Sequence, residues 1–501
     1  MISILFRFII ALIFAVLLSV NLLGKNKDKI STPIIEPYTL PLCITVFFVV
    51  SVFFTGGAYT VENMMSAFFP IFFHIGIYYA ILLLIMPCLR NLFSTEITSL
   101  LWIIPNYLYI MNFVGYRLEK PLYTFKISGS WAKYIPLIWF GGFWAVFLYK
   151  MISHVVFRVK LLKNSDKVTD DRVLKLWKEE KSKVKIKNNN IPLYVSEAVK
   201  TPVSVGLFKR GIFVVLPTKN FTESELSLIF RHELIHIARS DGWTKFFIMF
   251  CNAACWFNPL MWISMKKCSE DIELSCDETA LIDEDNSVRK QYAELILSSA
   301  GDERGFTSCL SASAKSLQFR LKSIMNPRKK KKGFVFAGVV FFLLIMTCQT
   351  VAFALDFGMA KDVVFSQSSK IDGRITVYKR NKTAMKDIRY YKPKDEKAFL
   401  DYIGNLKLYR LTGLYEYDND EIIFEFNFKD KDGLGHFIVS QGHLSKTVYN
   451  GKKSYNEDYI FYEDIDEDYL LSCLEEIDIP VNVSAPELML YYFDGDKKAY
   501  G

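Results

Sequence analysis

One stretch carries residue types at a spacing suited to metal chemistry. His232, Glu233 and His236 stand in the order H-E-x-x-H inside FTESELSLIFRHELIHIARSDG, which begins at Phe221. Residues four apart share a helix face, so both imidazoles can reach one zinc ion. Glu233 then stands where it can take a proton from metal-bound water. The five-residue pattern recurs by chance, but its flanks strengthen it. Thr222 and Glu225 can close a capping box, Phe221 and Leu226 stand at staple spacing, and Gly242 is placed as a C′ stop. These signals predict a helix from Thr222 to Gly242.

A second helix, Met265 to Ile282, contains SEDIELSCDETAL from Ser269. Glu273 and Asp277 are four apart and share a face. An isolated pair of this kind is usually solvated, but Ile272, Leu274, Cys276, Ala280 and Leu281 leave few solvated positions here. Glu273 can supply the third protein ligand, leaving the fourth position for water, and Asp277 can orient a histidine ligand. Between the two helices, Trp243 to Lys266 is apolar and broken at Asn258-Pro259. Counting it as a membrane span would put Glu273 on the far side from His232, so it reads as a helix buried in the domain or dipping into the inner leaflet.

The 501 residues exceed one domain, and 51% hydrophobic with 15% aromatic residues fits a membrane protein. Of the net charge of +8, residues 356–501 carry 20 Lys+Arg against 27 Asp+Glu, or −7, so residues 1–355 carry +15. A basic juxtamembrane and cytoplasmic part joined to an acidic outer domain follows. Direct nucleic-acid binding is not expected, since the basic residues cluster beside apolar runs. Of nine cysteines only Cys473 lies after residue 355, so that part has no internal disulfide. Cys251, Cys255, Cys268 and Cys276 could form a structural zinc site, but reduced thiols in a cytosolic core fit better.

Apolar runs at 2–23, 38–57, 64–88, 95–115, 131–156 and 333–354 read as membrane spans. Pro105, Asn106 and Asn112 interrupt the fourth. Lys25, Lys27 and Lys29 mark the first loop as inside, which puts the N-terminus outside and residues 158–332 in the cytoplasm. The expected fold is a multi-pass α-helical membrane protein with a cytoplasmic α+β domain and a C-terminal extracytoplasmic α+β domain. The expected boundaries are 1–157, 158–332, 333–354 and 355–501. A basic helix over Lys160 to Lys185 leads into the cytoplasmic domain. Strands are expected at Pro192–Val195 and Gly211–Leu216 with a turn at Pro202–Gly206. Residues 300–332 read as a polar linker ending in Arg328-Lys329-Lys330-Lys331-Lys332. In the outer domain, strands are expected at Arg374–Tyr378, Glu421–Phe428, His436–Ser440 and Thr447–Tyr449, and helices at Pro393–Leu406 and Asp466–Glu476.

HELIHIARSDGW, then WFNPLMW, then ELSCDE resembles the membrane metallopeptidases typified by the beta-lactam sensor-transducers BlaR and MecR. TPVSVGLFKRGIFVVLP resembles the segment before that family's zinc helix, and FRLKSIMN from Phe319 the segment before its last span. The resemblance covers roughly residues 64–354. It implies a gluzincin-like fold in a bacterial cell membrane, with Zn2+ on His232, His236 and Glu273 and Glu233 as general base. It also implies cytoplasmic proteolysis, including self-cleavage, that relays an outside signal to gene regulation. The linker with Ser308, Ser311, Ser313 and Ser316 is then a candidate self-cleavage segment.

Two departures stand out. The spans at 2–23 and 38–57 are additional to the three that normally precede the catalytic domain. After residue 354 there is no S-x-x-K acylation motif, so penicillin recognition is not carried over. Expected partners are the lipid bilayer, an unknown extracellular ligand, and either the chain itself or a cytoplasmic protein such as a transcriptional repressor. A homodimer is an allowed assembly. The alternative from another class is a non-catalytic zinc-binding receptor or resistance scaffold, and a maturase cutting membrane-delivered peptides would share the chemistry.

Overall fold

The structure is a computed structural model. It describes residues 2–24, 39–55, 57–111, 122–184, 186, 191–207, 211–300, 314–327, 330–348, 350–365, 370–381, 384–411, 421–430, 433–450 and 453–477. The chain divides into two units, residues 1–118 with 136–351, and residues 119–135 with 352–501.

The apolar runs of the first unit form α1 (Ile2–Gly24), α2 (Thr39–Thr55), α3 (Gly57–Leu92), α4 (Thr95–Ile103), α5 (Leu108–Met111) and α6 (Ile135–Lys163). Strand β1 (Tyr123–Ile127), between α5 and α6, belongs to the second unit. Among the described residues, Ala67–Leu92 and Ala132–Lys163 are long and apolar enough to cross a membrane, and Phe8–Val20, Pro41–Phe53 and Phe334–Thr347 are shorter apolar helices. On α6, Leu137, Ile138, Leu148, Ile152 and Val155 are exposed. Water disfavours such a surface and lipid accepts it.

Two expected spans differ. The run at 95–115 is not one helix. Helix α4 stops at Ile103 and a 3-10 turn, Ile104–Tyr107, follows with Pro105 in it. The Asn106 amide is turned inward and donates to the Tyr79 hydroxyl at 2.8 Å and the Trp102 carbonyl at 3.3 Å. Ile97, Leu101 and Trp102 are buried, so α4 packs on protein. The run at 333–354 forms only 14 residues of helix, and its end, from Val351, is extended.

The rest of the first unit surrounds a four-stranded sheet. It contains β2 (Asp166–Lys167), α7 (Asp171–Lys183), β3 (Leu193–Ser196), β4 (Val203–Val205) and β5 (Phe213–Pro217). Then come α8 (Glu223–Ala238), α9 (Asp241–Ala254), α10 (Pro259–Ala280), α11 (Asn286–Ala300), α12 (Ala314–Met325) and α13 (Phe334–Thr347). The strand order is β2-β3-β5-β4, with β3 parallel and β4 antiparallel to β5. The expected turn at Pro202–Gly206 is thus largely the edge strand β4. The expected basic helix is split. Helix α6 runs to Lys163, and Asp170 caps a separate α7 by accepting from the Arg172 amide. From α7, Trp177 packs edge-on to Phe230 of α8 with centroids 4.9 Å apart. The expected linker also contains structure, since α12 fills part of it and buries Ser316. Ser308, Ser311, Ser313, Arg328 and Lys329 lie outside the described residues.

The second unit is a ten-stranded sheet. Its strands are β1, β6 (Val351–Met359), β7 (Lys370–Asn381), β8 (Ala384–Pro393), β9 (Lys407–Leu411), β10 (Glu421–Asp430), β11 (Gly433–Ser440), β12 (His443–Asn450), β13 (Lys453–Phe461) and β14 (Leu474–Glu476). Their order is β1-β6-β9-β13-β12-β11-β10-β7-β8-β14. Helices α14 (Ala360–Val363), α15 (Glu396–Gly404) and α16 (Glu467–Ser472) join them. Alternate residues of β10, Phe424, Phe426 and Phe428, share one sheet face and pack with Phe399 and Ile403 of α15. A Cβ on Gly435 would stand 1.9 Å from the Phe428 ring, so any larger residue here must displace that ring. The expected helix at Asp466–Glu476 ends at Ser472, because its last residues pair with β8 as β14. Its N-cap is Asp466, which accepts from the Tyr469 amide.

Candidate metal centre

Helix α8 starts as its sequence dictates. The Thr222 hydroxyl accepts from the Glu225 amide, and Glu225 accepts from the Thr222 amide at 2.8 Å. Its end differs from expectation. Ser240, at φ 58°, breaks the helix, and Gly242 lies in the first turn of α9. A Cβ on Gly242 would come 3.2 Å from the Gly206 carbonyl, so the glycine permits a close backbone approach rather than a stop. Helix α10 begins earlier than Met265. Asn258 caps it by accepting from the Leu260 amide, and Pro259 occupies the first turn, where its missing N–H costs nothing.

These two helices bring His232, His236 and Glu273 together. The His232 and His236 Nε2 atoms are 3.1 Å apart, and Glu273 Oε2 lies 3.5 Å from each. A tetrahedral zinc with bonds of about 2.0–2.1 Å holds its ligand atoms roughly 3.3 Å apart. The three donors therefore fit such an ion without rearrangement. Glu233 lines the same cavity, with Pro202, Ile229, Tyr292, Leu295, Ile296 and Arg320.

The three candidate side chains are held from behind. His236 Nδ1 is 2.7 Å from Asp241 Oδ2, which points Nε2 at the centre. His232 Nδ1 is 2.8 Å from the Tyr292 hydroxyl, and that hydroxyl donates to Asp277 Oδ1 at 2.8 Å. Asp277 reaches His232 Nδ1 itself only at 3.5 Å, so its influence on the ring runs through Tyr292. Arg320 of α12 grips Asp277 through Nε at 2.7 Å and Nη2 at 2.8 Å. Lys245 of α9 donates to Glu273 Oε1 at 3.1 Å, leaving Oε2 for the centre.

Cys276, one turn beyond Glu273, places its sulfur within 4.8 Å of one ring nitrogen from each histidine and donates to the His232 carbonyl at 3.4 Å. His232, His236 and Cys276 are thus also a donor set. Glu273 is favoured as the third ligand, since its Oε2 matches the tetrahedral spacing and lines the cavity whereas Cys276 does not line it. Among the described residues the four cysteines do not come together as a donor group; only Cys276 joins one, with His232 and His236.

Charge couples these groups. Burial opposes a proton on His232, but the Cys276 sulfur and the Glu273 carboxylate outweigh it and push the metal-free ring up to about 10. Burial also opposes charge on Glu273, yet His236 and Lys245 hold its carboxyl well below the usual range. Sequence reasoning missed Tyr292, Arg320, Lys245 and the role of Asp241, because none lies at a helical spacing from the motif that names it a partner. Phe319-Arg320 stood in FRLKSIMN only as part of a segment.

A family model described as BlaR1 peptidase M56 matches residues 110–324. The chain is 26% identical over 194 residues to "Regulatory protein BlaR1" of Bacillus licheniformis, covering 38% of this chain and 32% of that protein. It is 30% identical over 120 residues to the "Methicillin resistance mecR1 protein" of Staphylococcus aureus and of Staphylococcus epidermidis, covering 23% of this chain and 20% of each. The chain spans a third or less of the length of these curated relatives. The family match falls across α8, α10 and the cavity between them, so this part of the chain is similar to the BlaR/MecR-type metallopeptidases.

Proposed function

We propose that this chain is a membrane zinc metalloprotease that transduces an extracellular stimulus by cutting itself or a cytoplasmic regulatory protein. One observation carries the reading: three donor atoms stand at tetrahedral spacing, with Glu233 on the same cavity. His232, His236 and Glu273 would hold the ion. When bound, zinc polarises the scissile carbonyl and lowers the pKa of its water to about 7. Glu233 takes a proton from the attacking water as the new C–O bond forms, then gives it to the leaving amine nitrogen as the C–N bond breaks. Strand β4 is a sheet edge, and Pro202 just before it lines the cavity. An extended substrate peptide adding to that edge would present its bonds to Glu233.

The layout that serves this reading puts residues 158–332 in the cytoplasm and the sheet domain beyond residue 355 outside, as sensor. The family's relay to gene regulation suggests a transcriptional repressor as the cut protein, with the chain's own linker as the other candidate. The scaffold alternative is disfavoured because a vestigial site has no need of an intact Glu233 beside three matched donors. The test is Glu233→Gln in the full chain. Zinc content by elemental analysis should stay at the wild-type value while cleavage is abolished. Cleavage at the wild-type rate sinks the assignment of Glu233.

A further inference from the structure

Arg320 is 3% exposed and commits Nε and Nη2 to Asp277, while its third nitrogen, Nη1, is buried without a hydrogen-bond partner. A buried guanidinium nitrogen left unpaired costs about 1–3 kcal/mol or more, so it needs a reason. The side chain lines the same cavity as Glu233, and Nη2 lies 4.0 Å from Glu273 Oε2, the oxygen turned to the histidines. The cation is therefore beside the point where charge would develop during peptide cleavage. Asp277 fixes the guanidinium plane through two bonds, so little reorganisation is needed to use the remaining nitrogen.

Resting on the protease reading above, we infer that Arg320 is a further catalytic residue, whose Nη1 donates to the oxygen of the scissile carbonyl as it becomes an oxyanion. When the water oxygen bonds to the carbonyl carbon, the carbonyl π pair moves onto that oxygen. Nη1–H neutralises part of this charge without giving up its proton. When the C–N bond breaks, the pair returns to re-form the C=O bond. Removing one donor of this kind costs roughly 10²–10³ in kcat elsewhere. Asp277 is in this account a positioning residue twice over, through Tyr292 on His232 and directly on Arg320.

The experiment uses the zinc-loaded full chain in lipid nanodiscs and two probes, N-phosphoryl-Leu-Trp and plain Leu-Trp. The tetrahedral phosphoryl group mimics the oxyanion. Binding is measured by calorimetry for wild type, Arg320→Lys and Asp277→Asn, with zinc content and thermal midpoint alongside. Lysine keeps the charge and one bond to Asp277 but has no fork to spare. Arg320→Lys should keep zinc and midpoint and weaken the phosphoryl probe about 30-fold or more, with Leu-Trp binding changed less than about threefold. Asp277→Asn should lose zinc affinity and, at saturating zinc, part of the preference for the phosphoryl probe, because asparagine can accept only one of the two Arg320 bonds. Equal weakening of both probes, or none, overturns the inference, as does Arg320→Lys losing its zinc, since Arg320 would then be only a clamp. A wild type that retains zinc but binds neither probe and cuts nothing overturns the protease reading itself, and this inference with it.

Discussion

The two oxygens of Glu273 have different partners: Oε1 accepts from Lys245, and Oε2 faces both histidines. Such division of each donor is what holds a metal site in shape before the ion arrives. Tyr292 and Asp241 do the same for the two rings. Tyr292→Phe or Asp241→Asn should therefore weaken zinc roughly 10–100-fold, measured by competition with a chelator. Zinc must also displace protons, since the metal-free His232 is raised to about 10. Zinc affinity should fall as pH is lowered from about 8 to 6, with proton release on binding seen in buffers of different ionisation enthalpy. The sign for stability is opposite. These protons stabilise the metal-free fold below the ordinary histidine pKa of about 6.5, and that stability is lost as pH rises through the folded value. The metal-free chain should lose this contribution in alkali, and the zinc-loaded chain should not. His232, Glu233 and His236 stand out in the sequence because helical spacing is a local rule, and Glu273 does so because the apolar neighbours on its own helix leave it few solvated positions. Tyr292 and Arg320 do not, because they reach the site from 60 residues beyond His232 and 43 beyond Asp277.

Helix α10 is tied down through Asp271 and Glu278. Arg90, at the end of α3, meets Asp271 at 2.8 Å, and the Trp102 indole of α4 donates to it at 2.6 Å. Glu278 accepts from Thr95 and Lys330, both at 2.6 Å. The helix that supplies Glu273 is thus fixed by Arg90 at the end of α3, by Thr95 and Trp102 from the run expected to be a span, and by Lys330 from the basic run before α13. Helix α8 owes its start to Thr222, and Thr222→Ala should cost about 1 kcal/mol. Hydrogen exchange in the first turn of α8 should then speed up about fivefold, with no change in α10. Boundaries were less legible than elements. The strand beginning at Val351 and the 3-10 turn at Ile104 each interrupt an apolar run whose composition suits a span. Sheet pairing decides the first and Pro105 with the inward Asn106 decides the second.

At the scale of the whole chain, charge separates a basic part from an acidic one, and the structure separates a helical unit from a ten-stranded sheet. Six of the ten described strands of that sheet escaped the sequence. Strands such as β8 and β13 carry mixed polar residues and become strands through their neighbours. The sheet's packing is testable at Gly435, where alanine would press on Phe428. Overpacking of this kind costs about 1–3 kcal/mol, so Gly435→Ala should lower the thermal midpoint of the sheet unit in the full chain and leave zinc content unchanged. The central claim is that Glu233 cuts peptide bonds. The most direct measurement is to map new protein N-termini in native membranes and cytosol, comparing a chain tagged at both ends with its Glu233→Gln counterpart. At least one new terminus, in the chain or in a cytoplasmic protein, should be present with wild type and lost with Glu233→Gln at equal zinc content. The same termini at the same abundance in both would contradict that claim.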